Sequence, residues 1–313
     1  MGTCYSVKLA GVEPADRRLA GLRAAVDRRL DDINHRMSHY LNDSELSRFN
    51  AGTSTAPVRV SAELARVTRY ALALHQQSGG AFDPALGRLI DLWGFGAAGR
   101  REDAPTEEQI LACRRQSGAR HVRVTPQDEL QKDLPGLQIN LSAVGKGYGA
   151  DEAARVLHEH GFTNVLVAVG GEMVASGVNS EGQPWQVGVE LPRYGVIRGT
   201  ELGAVVPLSG RALSTSGDAH NFFQDERGRI YAHILDPATG RPVQHNLASV
   251  TVVAANGLMA DGLATAVYVM GFERGLRWVE QQHDIAAMFI IRENADRCRL
   301  VASLRFPPFR RMK

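Results

Sequence analysis

The chain reads as an α+β protein, and three observations carry that reading. Strand-like runs gather in the middle and at the end. Residues 164–169 (Asn-Val-Leu-Val-Ala-Val) are apolar after the first as far as Gly170-Gly171, and residues 185–190 alternate as a half-exposed strand does. Helical stretches stand apart from these runs, with no regular strand-helix-strand alternation of the kind a doubly wound sheet requires. The length, 313 residues with 44% hydrophobic content, suffices for one large domain made of two packed halves.

Taken in order, Leu19, Leu22, Val26, Leu30, Ile33 and Met37 recur at steps of three and four and predict a long amphipathic helix. A second helix is predicted from an N-capping Ser61 through Leu64, Val67, Tyr70 and Leu74, ending near Ser78-Gly79-Gly80. Residues 99–134 are polar and contain prolines, so they read as a variable insertion with one short helix, dispensable to the fold. After a strand at residues 249–253, a helix is predicted at 257–270, a further helical stretch through Trp278, and closing strands at 285–291 and 299–304.

Composition excludes several classes. Thirty-six Lys and Arg face 34 Asp and Glu, which gives no electrostatic case for a nucleic-acid partner. Cys4, Cys113 and Cys298 have neither a disulfide pattern nor metal-type spacing. No window approaches the roughly 18 apolar residues of a membrane helix, and the first ten residues lack a secretory signal, so the chain is expected to be soluble and cytoplasmic as written.

Four segments carry chemistry. Asp261 and Thr265 lie one turn apart in the 257–270 helix and present two hard oxygen donors on one face, a pair suited to Mg²⁺, although Asp261 also reads as a solvated or capping aspartate. Residues 140–151 (Asn-Leu-Ser-Ala-Val-Gly-Lys-Gly-Tyr-Gly-Ala-Asp) read as a strand end passing through a glycine-rich turn into a helix. Lys146 there supplies a cation beside exposed backbone groups, an arrangement open to a phosphate. His233, before the turn Asp236-Pro237-Ala238-Thr239-Gly240, is a candidate base among ten histidines. Ser78-Gly79-Gly80-Ala81-Phe82-Asp83-Pro84 and the nearby Trp93 offer either a wall for a planar ring or ordinary core, and residues 214–218 either a phosphate-facing hydroxyl cluster or a turn.

Together these segments resemble the FAD:protein FMN transferase family, the ApbE-type proteins. The likeness begins with Met1-Gly2-Thr3 and continues through Met37-Ser38-His39-Tyr40 and the block from Ser44 to Asn50. It takes in Gly79 to Pro84, the Lys146 segment, Gly170-Gly171-Glu172, Thr215-Ser216-Gly217, His233 to Pro242 and Ala260 to Thr265. It implies one T-fold-like, two-lobed α+β domain over residues 1–313, with FAD in a cleft between the lobes. By matching position, Met1, Tyr40, Ala81, Phe82, Asp83, Asn140, Lys146 and Leu235 would line the FAD site, and His233 would act as base. The Ala143 carbonyl, Asp261 and Thr265 would hold Mg²⁺.

The implied reaction splits FAD, leaves FMN as a phosphoester on a threonine of an acceptor flavoprotein, and releases AMP. The acceptor would be a redox-complex subunit or a flavin reductase. A pyrophosphatase giving FMN and AMP, or a carrier that only binds FAD, are the alternatives. Two departures stand out. Asn140 occupies a position usually held by Asp, and the chain starts on the Met-Gly-Thr motif, whereas family members are commonly exported and membrane-anchored.

Overall fold

The apolar runs of the sequence become the interior of one antiparallel sheet. The computed structural model describes residues 2–97, 99, 101, 103–195, 199–294 and 297–312. Among them, seven strands stand in the order Tyr5–Leu9, Val165–Val169, Glu172–Ser176, Arg211–Gly217, Leu247–Ala254, Ala286–Arg292 and Cys298–Ala302. Every neighbouring pair is antiparallel. All eight residues of Leu247–Ala254 are buried, because both faces of the sheet are covered. One face packs on the helix Gly257–Met270. The other contributes Leu213, Val253, Met288 and Ile290 to a core shared with Trp185, Val187, Val189, Ala204 and Val206 of a second, three-stranded sheet.

The chain divides into two compact units. The first comprises Met1–Asp32, Val144–His220 and His245–Lys313 and contains both of these sheets; the second comprises Ile33–Ala143 and Asn221–Gln244. In the second unit, helices Glu45–Ala51, Ala62–Gln77, Gly87–Leu92 and Glu107–Arg115 accompany short strands, and one core gathers Leu86, Leu89, Trp93, Ile110, Tyr231 and Leu235.

The predicted helices hold with trimmed ends. The first runs Leu22–Met37, with Leu22, Val26, Leu30, Ile33 and Met37 all buried, while Leu19 falls in a separate 3₁₀ turn. The second runs Ala62–Gln77, capped by Ser61, whose hydroxyl accepts the Leu64 N–H. The C-terminal residues Arg310–Arg311 pair through their backbone with the strand Leu202–Leu208 and keep their side chains exposed.

Two expectations need correction. Residues 99–134 are not dispensable. Val122–Val124 and Glu129–Lys132 form a sheet with Val58–Arg59, and Ile110, Leu130 and Lys132 are fully buried. Polar composition concealed the few apolar positions that do the packing. The glycine-rich stretch is likewise not a turn. No strand precedes it, and Gly145, Gly147 and Gly149 lie inside the helix Ser142–Glu159.

A packing constraint explains one of these glycines. A Cβ on Gly147 would sit 2.0 Å from the Gly257 carbonyl oxygen, and one on Gly257 would sit 2.2 Å from that of Gly147. The two helix backbones therefore touch where no side chain fits. Gly145, by contrast, has nothing within 4 Å of its would-be Cβ. Gly147→Ala is therefore expected to destabilise by about 1–3 kcal/mol or more through overpacking, whereas Gly145→Ala should be neutral or stabilising by about 0.5–1 kcal/mol. Thermal melts of the two variants check this, and equal midpoints would refute the contact.

Candidate active site

In the first unit, the helix Gly257–Met270 owes its start to two side chains. Asn256 caps it by accepting the Met259 N–H, and the Asp151 carboxylate accepts the N–H groups of Gly257 (2.6 Å) and Leu258 (2.8 Å). One turn on, Asp261 is buried, not solvated, and its Oδ2 accepts the Gly147 N–H at 2.9 Å. Thr265, on the same face, has its hydroxyl 3.3 Å from that of Ser216 in the strand Arg211–Gly217. The expected pairing of a carboxylate and a hydroxyl at i and i+4 is thus present, joined by a second hydroxyl.

Lys146 completes the cluster. Its Nζ lies 3.3 Å from Glu172 Oε1 and 3.6 Å from Asp261 Oδ1. Burial works against the ammonium, but the two carboxylates outweigh it and hold the lysine above its ordinary pKa. Burial also pushes the Glu172 carboxyl up, against the pull of Lys146. Glu172 Oε2 is buried and has no hydrogen-bond partner. Asp151 rises to about 6 through burial, opposed by its two backbone donors. Glu172 and Asp151 both lie in segments that resemble the family, and the sequence predicts a role for neither. Spacing alone does not reveal that the strand Glu172–Ser176 turns its first side chain toward Lys146.

The second unit places its predicted residues in a network of side chain-to-backbone bonds. Asp83 Oδ1 accepts the Ala85 N–H and Oδ2 the Ala119 N–H, and burial raises its pKa. Ala81 and Phe82 are buried, the Ser78 hydroxyl accepts the Phe82 N–H, and His75 Nδ1 donates to the Phe82 carbonyl. Asn140 is buried, its N–H donating to the Pro84 carbonyl and its Oδ1 accepting the Ser142 N–H, which starts the helix Ser142–Glu159. An aspartate would supply the same acceptor, so the exchange at this position preserves the helix start. Tyr40 is 54% exposed and packs on His39 with ring centroids 3.9 Å apart.

His233 Nδ1 lies 3.2 Å from the Asn221 carbonyl, and a carbonyl only accepts. The neutral ring therefore carries its proton on Nδ1 and its lone pair on Nε2, as a base requires. Phe95 stands edge-on at 6.3 Å. Leu235 and Trp93 belong to the core, Trp93 donating through Nε1 to the Gly240 carbonyl. Met1 lies outside the described residues.

The class defined by this arrangement is an α+β enzyme with a charged, oxygen-rich site. The description ApbE family matches residues 1–289. An FAD:protein FMN transferase of Vibrio cholerae is 38% identical over 309 residues, 99% of this chain and 90% of the relative. The solved flavin transferase ApbE from Vibrio cholerae superposes with a TM-score of 0.87 at 36% identity, covering 97% of this chain and 94% of that one. The apo form of the Pseudomonas stutzeri flavinyl transferase ApbE gives 0.85 at 35% identity, covering 97% and 92%. The chain belongs to the ApbE family.

Within the second unit, His39 has Nε2 buried without a partner and its Nδ1 3.3 Å from the Ser142 hydroxyl. Burial drops its pKa from 6.5 to about 4. A lowered folded-state pKa means that the unfolded chain takes up the proton first, so stability is present above pH 6.5 and is lost as the pH falls from there toward 4. His39→Gln should therefore lose about 2 kcal/mol less stability than the parent between pH 7.5 and pH 5. Urea melts at the two pH values measure the difference, and parallel losses would count against a neutral buried ring.

Proposed function

We propose that this protein transfers FMN from FAD to a protein acceptor, using a divalent metal and a threonine hydroxyl. One observation carries the proposal most: the meeting of the half-buried Lys146 with the buried carboxylates of Glu172 and Asp261 beside the Thr265 and Ser216 hydroxyls, in a chain of this family.

The donor set suits Mg²⁺. Among the described residues no three His, Cys, Asp or Glu side chains group as a metal nest, so the ligands would be mixed: the Asp261 carboxylate, the Thr265 hydroxyl and the Ala143 carbonyl. All are hard oxygens, and Mg²⁺ commonly takes one or two carboxylates together with waters and substrate phosphates. Asp261 Oδ1 is 3.6 Å from Lys146 Nζ, an ion pair rather than a hydrogen bond, which leaves that oxygen lone pairs to offer. Mg²⁺ would supply charge neutralisation on the pyrophosphate oxygens.

Lys146 would bind the phosphates, its charge secured by the two carboxylates. Tyr40, Ala81, Phe82, Asp83, Asn140 and Leu235, with Met1, are proposed as the FAD contacts. His233 Nε2 would take the proton from the acceptor threonine as its oxygen bonds to the FMN phosphorus. The bridging phosphorus–oxygen bond breaks and AMP leaves with its phosphate. FAD is the substrate and the flavin-accepting protein the partner; a redox-complex subunit or a flavin reductase is the proposed acceptor. The described helices include none long and apolar enough to cross a membrane.

Mass spectrometry of a threonine-bearing acceptor peptide incubated with the protein, FAD and Mg²⁺ tests the reading. The expected result is a mass gain of one FMN that requires Mg²⁺ and vanishes in Asp261→Ala. His233→Ala should slow transfer by about 10²–10⁴-fold, the usual contribution of a general base. Free FMN and AMP with every acceptor unchanged would mean that water takes the place of the hydroxyl, and the transferase reading would fail.

A further inference from the structure

We propose that the helix Glu45–Ala51 is the positioning element for the FAD-contacting residues of its unit, with Asn50 as the principal positioning residue. The proposal rests on the assignment of Tyr40 and Asn140 to FAD made above. It gives a role to the sequence block from Ser44 to Asn50, which otherwise has none.

Asn50 forms a reciprocal clamp. Its Nδ2 donates to the Ile139 carbonyl at 2.8 Å, and its Oδ1 accepts the Ile139 N–H at 2.8 Å. One amide thus satisfies both polar groups of a backbone residue that is 1% exposed and lies in no strand. A β partner would normally meet that need. The next residue along is Asn140, so the clamp sets the backbone from which Asn140 projects.

The opposite end of the helix grips the other FAD-contacting segment. The fully buried Ser44 donates through its hydroxyl to the Ser38 carbonyl at 2.5 Å, while accepting the Ser47 N–H at 2.9 Å. The Ser47 hydroxyl donates to the same carbonyl at 3.1 Å. Ser38 in turn accepts the Tyr40 N–H on its own hydroxyl at 3.2 Å. Two hydroxyls converging on one carbonyl fix the start of the His39-Tyr40 pair. A direct rung between the segments, Ser142 Oγ to His39 Nδ1, has the span that the helix sets.

Lys132 locks the bracket shut. Its buried ammonium donates to the carbonyls of Phe49 (3.1 Å), Asn50 (3.3 Å) and Leu137 (3.1 Å), and lies 5.0 Å from the centre of the Phe49 ring. It thereby ties the C-terminal carbonyls of the helix to the segment that leads into Ile139. A seven-residue helix has little stability of its own. Its Ser47 and Asn50 side chains are directed at the backbone beside residues 40 and 140, which is what a spacer between two ligand contacts requires.

The test uses the full chain carrying Asn50→Asp, which keeps the shape but sets a carboxylate oxygen against the Ile139 carbonyl, with Ser47→Ala as a milder variant and Asn140→Ala as the reference. FAD affinity is read from quenching of flavin fluorescence, alongside KM for FAD, kcat and the thermal midpoint. Asn50→Asp is expected to weaken FAD binding and raise KM by about tenfold or more, with kcat at saturating FAD within about twofold. Ser47→Ala should shift KM in the same direction by a few-fold, which serves if Asn50→Asp does not fold. A lower midpoint with unchanged FAD affinity would overturn the proposal, since a purely structural tie moves only stability. If Asn140→Ala weakens binding and the Asn50 and Ser47 variants do not, positioning fails and the FAD assignment stands. If Asn140→Ala also binds FAD normally, the assignment itself has failed.

Discussion

The contact on which the first unit depends is the approach of two helix backbones at Gly147 and Gly257. With no Cβ at either position, the helix Ser142–Glu159 comes near enough for the Gly147 N–H to reach Asp261 Oδ2 and for Asp151 to cap the helix Gly257–Met270. The same approach carries Lys146, one residue before Gly147, toward Asp261 and Glu172. Burying ionised groups costs several kcal/mol each unless they are paired and hydrogen-bonded. Here one ammonium faces two carboxylates, a surplus of negative charge that is resolved by a raised affinity for a proton at Glu172 or by a second cation.

The second unit solves a different problem. Its candidate residues Tyr40, Ala81, Phe82, Asp83, Asn140 and His233 lie on connecting segments, and order comes from side chains that serve the backbone: Asp83 to Ala85 and Ala119, Asn50 to Ile139, Ser44 and Ser47 to Ser38, Lys132 to three carbonyls. Each satisfies buried polar groups that a sheet would otherwise have paired. Loops built this way hold ligand contacts as firmly as regular elements do, provided every member of the network is present.

How much of this was legible in the sequence follows from which forces act locally. Helix 257–270 and the strand runs were legible because apolar periodicity records burial directly, and Ser61 announced its helix through local capping chemistry. The glycines at 145, 147 and 149 misled because glycine disfavours helix in isolation, whereas the contact with Gly257, distant in sequence, overrides that preference. Residues 99–134 misled because a few buried positions among many polar ones leave no period. The pairing of Asp261 with Thr265 was legible as an i,i+4 face; its burial was not, nor was Glu172 as the second carboxylate, since both depend on the sheet bringing remote segments together.

The glycine contact also bears on the oxygen donors. The Gly147 N–H donates to Asp261 Oδ2 at 2.9 Å, so the backbone of one helix orients a carboxylate of the other. That carboxylate is one of the donors proposed for the metal, and its second oxygen faces the Lys146 ammonium. A side chain at position 147 would meet the Gly257 carbonyl, move the helices apart and take the N–H away from Asp261. The glycine that a local reading assigns to a flexible turn is therefore the residue on which the placing of this carboxylate rests.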